Sequence, residues 1–333
     1  MSSEIPSIEI NPPLLNSANP WASSHRDIEA LFKCPSLGAI TTRTSLLNGF
    51  KHDAAMHQYT FFDPVTHGSS GDVKNVKDEE RSSLNTLGYS PVLLKEYLAF
   101  IKAISDDLPE PSKKLIIVSV TGTPDEVAQC YKEVAEHSKM VQMPLALEIN
   151  LSCPNIPNAP PPAYSGESLL LYLKALREII STDDQPRIPF GLKTPPYTHA
   201  GQFETVIGAL RAQGSPCPVS FLTATNTLGS CLVLEDINTD TGEPKLPGLG
   251  VGGMAGASLH PLALGNVATL RKILDQAEET KNVKVIGIGG VEDAAGYRRM
   301  KGVGACAVGV GTALGRKGLE VFKEIESGLQ GKW

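Results

Sequence analysis

Short apolar runs alternate with longer amphipathic ones from Pro13 to the last turns of the chain, and few architectures accept that rhythm. The candidate strands are Pro13–Ala18, Gly38–Thr42, Leu115–Val120, Leu145–Asn150, Pro189–Lys193, Val219–Thr225, Val283–Ile288 and Ala305–Gly309. Between them lie helical patterns. Glu126–Ser138 carries Val127, Cys130, Tyr131 and Val134 at three- and four-residue spacing, and Ser168–Ile180 carries Leu169, Leu170, Leu173 and Leu176. Gln202–Ala212, Leu262–Ala277 and Lys317–Gly328 behave alike, and Pro261 suits a first helical turn, where its missing N–H costs nothing. Eight strands, each followed by a helix, predict an α/β fold of the (β/α)8 TIM-barrel type, with a doubly wound open sheet as the alternative.

Two stretches break the alternation. Residues 44–91 are rich in His, Asp, Gly and Ser, and residues 230–258 carry five glycines from Gly248 to Gly256. Insertions of this length after barrel strands tend to cover the C-terminal face, where such folds keep their active sites. Residues 1–333 are accordingly read as a single barrel domain with these two insertions.

Composition narrows the function. The chain has 333 residues, 41% hydrophobic and 20% charged, enough to bury a large core. A net charge of −6, with Lys and Arg scattered, argues against a nucleic-acid groove. No run reaches the roughly 18 apolar residues of a membrane helix, and Met1–Pro6 lacks the pattern of a signal or transit peptide. A cytoplasmic protein is expected. The six cysteines are far apart with no CxxC pair, which suits reduced thiols and predicts no metal or iron–sulfur site.

Catalytic groups of such barrels stand at the C-terminal ends of the strands. Here those ends read Asn16-Ser17-Ala18, Thr42-Arg43-Thr44, Thr121-Gly122, Asn150-Leu151-Ser152-Cys153, Lys193-Thr194-Pro195-Pro196, Thr225-Asn226-Thr227, Gly289-Gly290 and Gly311-Thr312. The last two offer bare backbone, a setting in which N–H groups approach a phosphate closely. Lys193 could be an imine-forming nucleophile, a phosphate partner or the cation beside an electron-rich ring; the bland alternative is an exposed lysine. Asn85, Asn150, Asn155 and Asn226 are four amides near strand ends or glycine turns, suited together to a cyclic imide or amide, although asparagine is common in turns. Cys153 has no histidine at a matching strand end, so a thiolate that takes a proton fits better than a Cys–His hydrolase.

With these residues assembled, the chain resembles the dihydroorotate dehydrogenase family, in particular its soluble, fumarate-using class 1A. The resemblance runs over roughly Pro13 to Ser327 and is most specific at Asn150-Leu151-Ser152-Cys153-Pro154-Asn155-Ile156-Pro157, close to the family's NLSCPN-x-P loop. Gly191-Leu192-Lys193-Thr194-Pro195-Pro196-Tyr197, Asn226-Thr227-Leu228-Gly229 and a glycine-rich turn at Gly250–Gly256 before Pro261-Leu262-Ala263-Leu264-Gly265-Asn266-Val267 follow in family order. The resemblance implies FMN as cofactor, held by Ser17, Ala18, Arg43, Thr44, Asn150, Lys193, Thr225, Gly256, Gly289, Gly290, Gly311 and Thr312. It implies Cys153 as general base, and Arg43, Asn85, Asn150, Asn155, Asn226 and Thr227 around dihydroorotate or orotate. It also implies fumarate and succinate as the second substrate pair, a homodimer, and no membrane partner.

The departures gather on the substrate side. Arg43 replaces a family lysine, Thr227 a serine, and Asn85-Thr86-Leu87-Gly88-Tyr89 replaces NSMGL, which brings in a phenol. His260 stands where lysine is usual, the EGNP pattern after Arg43 is missing, and the chain stops at Trp333 without the family tail. Three other readings stay open: a related flavoenzyme acting on another cyclic amide or enoate, a flavin-free aldolase using Lys193, and a non-catalytic binding module.

Overall fold

The computed structural model describes residues 5–152, 161–181, 186–235 and 242–333. Cys153 and Asn155 lie outside the described residues, as does the middle of the second insertion.

Thirteen strands are formed among the described residues: β1 (Leu14–Asn16), β2 (Ala39–Thr41), β3 (Ser45–Leu46), β4 (Tyr59–Phe62), β5 (Ser82–Asn85), β6 (Leu115–Thr121), β7 (Leu145–Asn150), β8 (Phe190–Thr194), β9 (Phe221–Ala224), β10 (Leu228–Cys231), β11 (Gly252–Gly256), β12 (Lys284–Ile288) and β13 (Ala307–Val310). Eight of them run parallel in the spatial order β1-β13-β12-β9-β8-β7-β6-β2. The seam between β1 and β2 is stitched by one backbone bond, Gly38 N to Leu14 O at 3.0 Å, and by a side chain. Asn16 Nδ2 donates to Thr41 O at 2.7 Å while its Oδ1 accepts from Thr41 N at 3.0 Å, so one amide replaces a missing ladder rung. The fold is a (β/α)8 barrel, and the open-sheet alternative falls.

The helices are α1 (His25–Lys33), α2 (Leu94–Asp106), α3 (Pro124–His137), α4 (Gly166–Ser181), α5 (Ala200–Arg211), α6 (His260–Leu274), α7 (Ala294–Gly302), α8 (Thr312–Lys317) and α9 (Glu320–Leu329). Their starts are chemically marked. Ser24 and Asp27 close a capping box on α1, Thr123 and Glu126 one on α3, and Asp293 accepts from Gly296 N to begin α7. The closing helix expected over Lys317–Gly328 forms as α9 and starts three residues later, because Gly318 at φ 62° separates it from the short α8.

Two apolar layers follow from the period of two in each strand. Outward residues such as Leu147, Ile149, Leu192 and Val308 pack beneath the helices. Inward residues Leu15, Ile117, Ala146, Phe221, Ile286 and Ala307 join Ile8 in a separate cluster that fills the lower barrel. Gly191 makes room for this filling, since a Cβ there would stand 2.4 Å from the Phe221 ring. The N-terminal segment is tied across the bottom by Ser220 Oγ to Pro6 O and Lys284 Nζ to Ile8 O, both 2.6 Å.

The two insertions do not lie as separate coverings. They pair with each other in an antiparallel sheet of order β10-β11-β5-β4. The stretch read as a glycine-rich turn is corrected: Gly252–Gly256 is strand β11, flanked by β10 and β5.

Candidate active site

Moving up each inward face by one or two periods turns the barrel lining from apolar to polar. Above Ile117 comes Ser119, above Ala146 come Glu148 and Asn150, above Gly191 comes Lys193, and above Phe221 come Thr223 and Thr225. The uppermost of them, Asn150, Lys193 and Thr225, line a cavity of about 1030 Å³, its open mouth included. Every described residue named as a site candidate lines it. Ser17 and Ala18 come from the end of β1, Arg43 and Thr44 from that of β2, Asn150 from β7 and Lys193 from β8. Thr225, Asn226 and Thr227 follow β9, Gly289 and Gly290 follow β12, and Gly311 and Thr312 follow β13. Asn85 and Gly256 are delivered by the insertion sheet.

Charge within the cavity is one-sided. Its lining holds Lys193 and Arg43 but no Asp or Glu among the described residues. Lys193 is 4% exposed and makes no hydrogen bond or ion pair with any described residue. Beside it Thr225 Oγ1 is buried without a partner. A buried ammonium and hydroxyl left in this state carry a large desolvation cost, which an electron-rich or anionic partner relieves. Arg43 is anchored, with Nη2 donating to Gly88 O at 3.1 Å, so it ties the end of β2 to the turn that follows Asn85. Below it, burial pushes the Tyr97 phenol up, a shift opposed by its Ser90 hydrogen bond and by the Arg43 charge.

The amides form one network. Asn226 Nδ2 donates to Asn150 Oδ1 at 3.2 Å and to Ser152 Oγ at 3.0 Å, and Asn150 Nδ2 donates to Thr44 Oγ1 at 3.0 Å. Ser152 also donates from N and Oγ to Asn150 Oδ1, at 3.3 and 3.1 Å. Asn85 is held by Gly253 O and by Leu87 N. The proline loop after β8 is fixed from α6, where Asn266 accepts from Tyr197 N at 2.8 Å and donates to Tyr197 O at 3.0 Å.

Opposite the amides, three backbone segments converge. Gly290 has φ 66°, and a Cβ there would stand 2.5 Å from Gly256 O; Gly256 has φ 80° and would place a Cβ 2.5 Å from Arg81 O. Only glycine permits this approach of β11 to the β12 loop. His260 holds the loop from behind. Arg299 Nε donates to its Nε2 at 3.0 Å, which leaves Nδ1–H to donate to Gly289 O at 2.6 Å. Glu292 bridges Arg81 and Arg316, and its hydrogen bond holds the Arg81 guanidinium above its usual range. Thr312 Oγ1 lies 2.9 Å from Ser83 Oγ, linking the β13 end to the insertion sheet.

Beside Tyr89, whose phenol the sequence places on the substrate side, the cavity has an aromatic wall that sequence reasoning missed, Trp21 and Tyr59. Trp21 stands edge-on to Tyr59 at 5.5 Å and lies over Gly315, where a Cβ would meet its ring at 2.1 Å. No period marks such residues, since they come from a 3-10 turn and a strand of an insertion.

A family model described as dihydroorotate dehydrogenase matches residues 72–332. The chain belongs to the dihydroorotate dehydrogenase family. Among curated relatives, a putative dihydroorotate dehydrogenase A (fumarate) of Streptococcus agalactiae is 32% identical over 256 residues, 76% of this chain and 74% of that one. Dihydroorotate dehydrogenase (fumarate) of Trypanosoma cruzi is 32% identical over 249 residues, 74% of this chain and 72% of that one. The crystal structure of a ligand-free DHODH from Eimeria tenella superposes with a TM-score of 0.70 at 15% identity, covering 95% of this chain and 83% of that chain, a likeness of fold. Within the family frame, the cavity described above stands at the C-terminal face of the barrel, where β7 presents Asn150 and β8 presents Lys193.

Proposed function

We propose that the whole chain works as one FMN-binding barrel that oxidises dihydroorotate to orotate in pyrimidine biosynthesis, with fumarate as electron acceptor. The observation that carries this reading is the unpaired, buried Lys193 set between an amide network and a converging glycine cradle. A flavin mononucleotide fits those needs. Its electron-rich ring edge answers the Lys193 ammonium and the partnerless Thr225 hydroxyl, and its phosphate answers the bare backbone at Gly256, Gly289, Gly290, Gly311 and Thr312. Bound FMN supplies the two-electron acceptance that oxidation of a carbon–carbon single bond requires.

The chain's own groups supply recognition and proton transfer. Among the described residues, Asn150 leaves one Nδ2 hydrogen and Asn226 one Oδ1 lone pair without a bond, a donor and an acceptor for the amide edge of the pyrimidine ring. Arg43 and the turn after Asn85 answer the carboxylate. The Cys153 thiolate takes the C5 proton as the C6 hydride departs, so proton and electron pair leave adjacent carbons. Ser152, immediately before it in sequence, is 1% exposed and bonded to both asparagines, which supports this reading. No described helix is long and apolar enough to cross a membrane. Cytoplasmic location and a homodimer complete the reading on the strength of the resemblance.

A second reading, oxidation or reduction of another cyclic amide or enoate, draws on Tyr89, which brings a phenol into the cavity wall beside Arg43. Anaerobic addition of dihydroorotate to the purified yellow protein separates the two. Bleaching of the flavin absorption within seconds, reversed by fumarate, is expected; a flavin that stays oxidised overturns the first reading.

A further inference from the structure

Glu148 is 1% exposed in the barrel interior, and no step above uses it. It ends an unbroken run of hydrogen bonds that crosses beneath the cavity. Thr227 N donates to Asn226 Oδ1 at 2.9 Å, Asn226 Nδ2 to Asn150 Oδ1 at 3.2 Å, and Asn150 Nδ2 to Thr44 Oγ1 at 3.0 Å. At the far end Ser119 Oγ donates to Glu148 Oε1 at 2.8 Å. Thr44 Oγ1 and Ser119 Oγ stand 2.9 Å apart, and because the single Ser119 hydrogen is committed to Glu148, Thr44 must donate across this gap. The run therefore has one sense from end to end. A backbone N–H, which can only donate, begins it, and a carboxylate oxygen ends it.

We propose that Glu148, acting through Ser119 and Thr44, is a positioning residue that fixes the amide polarity of Asn150 and Asn226. Turning the Asn150 amide would set its Oδ1 against Thr44 and its Nδ2 against the Asn226 Nδ2 and the Ser152 N–H, so the Glu148 run holds the Nδ2 side while the Ser152 backbone and Asn226 hold the Oδ1 side. The polarity thus held leaves a donor on Asn150 and an acceptor on Asn226, the pattern that reads a lactam edge. A buried carboxylate costs more to desolvate than the serine, threonine or leucine that could fill the same volume, and this directional role gives a physical reason for it. The consequence for ligand binding rests on the reading in the preceding subsection, whereas the polarity does not.

The test uses the flavin-loaded protein and its urea unfolding. Asn150→Asp keeps the shape but presents an acceptor to Thr44. Thr44 must then turn its hydrogen toward Asp, which leaves two hydroxyl oxygens facing with no hydrogen between them. The unfolding equilibrium constant should rise about tenfold or more. Glu148→Gln can donate to Ser119 and so reverse the run, and adding it to Asn150→Asp should recover about tenfold. Repeating the pair in a Ser119→Ala background removes the path but keeps any charge repulsion between positions 148 and 150, and the recovery should vanish there. Equal recovery in both backgrounds, or none in either, overturns the proposal. Should Asn150→Asp fail to fold, Ser119→Ala alone decides, by orotate titration read from the flavin absorption. Orotate should bind about tenfold more weakly while FMN, which Thr44 and Asn150 also help hold, loses much less, and Ser119→Thr should restore orotate binding. Unaltered orotate affinity, or a parallel loss of FMN, overturns it. A wild-type protein that ignores orotate would sink the functional reading and leave the unfolding test standing.

Discussion

The proposed reaction divides its chemistry between two residues of opposite demands, Lys193 and Cys153. The ammonium is buried inside the barrel on β8 and forms no ion pair with a described residue, so its place in the site follows from strand parity. The thiol lies outside the described residues, and its proposed role rests on residue type and on its sequence neighbours Asn150 and Ser152. On the proposed reaction, Cys153→Ala should keep flavin bound and slow its reduction by dihydroorotate by roughly two to four orders of magnitude, the usual scale for a lost general base. Stopped-flow bleaching measures this directly, and near-normal reduction would remove Cys153 from the mechanism. Arg43 Nη2 donates to the Gly88 carbonyl of the insertion and lysine keeps the charge, so Arg43→Lys should keep circular dichroism and flavin content intact. Loss of folded protein in that variant would make Arg43 structural.

At the scale of elements, legibility followed burial. The eight parallel strands are buried on both faces and so read as continuous apolar runs, within two residues of where they form. Helices α1 and α7 escaped notice because polar capping residues open them and their apolar positions are few, whereas α2 carries Leu94, Tyr97, Leu98, Ile101 and Ile104 at helical spacing and was legible in principle. The insertion sheet could not be read at all. Its central strands are Ser-Ser-Leu-Asn and Gly-Gly-Met-Ala-Gly, poor strand formers that pair across some 170 positions of chain. Their glycines answer crowding: a Cβ at Gly252 would lie 2.2 Å from Asn85 O. The strand-end candidates were legible because barrel geometry alone carries their side chains to one mouth, whereas Trp21 and Tyr59 reach it through contacts that no period records. The cradle gives this scale its prediction. Gly290→Ala forces a methyl toward Gly256 O at a positive φ, and should cost about 1–3 kcal/mol of strain. Released-flavin fluorescence on dilution should report FMN affinity at least about tenfold weaker; wild-type retention would mean the β11–β12 approach is not part of the cofactor site.

The whole molecule carries a net charge of −6 yet keeps two cations and no described acid around its cavity, so it repels anions at a distance and attracts them only at the mouth. What holds that contrast in place is the shell of helices on the barrel, and this shell contains groups whose titration reports its integrity. Burial pushes the Cys130 thiol up to about 12 and the Cys217 thiol up to about 11. Both are fully packed, at 0% and 2% exposure, on α3 and just before β9. Burial likewise raises the Tyr297 phenol on α7 to about 12. In each case the folded state holds its proton more tightly than the unfolded chain does. The stabilisation is therefore complete below the unfolded thiol value near 9 and drains away as pH climbs through the folded values. Between pH 9 and 11 the unfolded chain sheds both thiol protons while the folded barrel keeps them. Stability should then fall by about 1.4 kcal/mol per pH unit for each thiol, with the phenol adding its share above pH 10. Urea midpoints across pH 8 to 11.5 measure the slope. In Cys130→Ala the plateau should drop through loss of packing but the slope should flatten by one thiol's share. An unchanged slope would mean that the alkaline transition begins in the loops around the cavity and not in the helical shell.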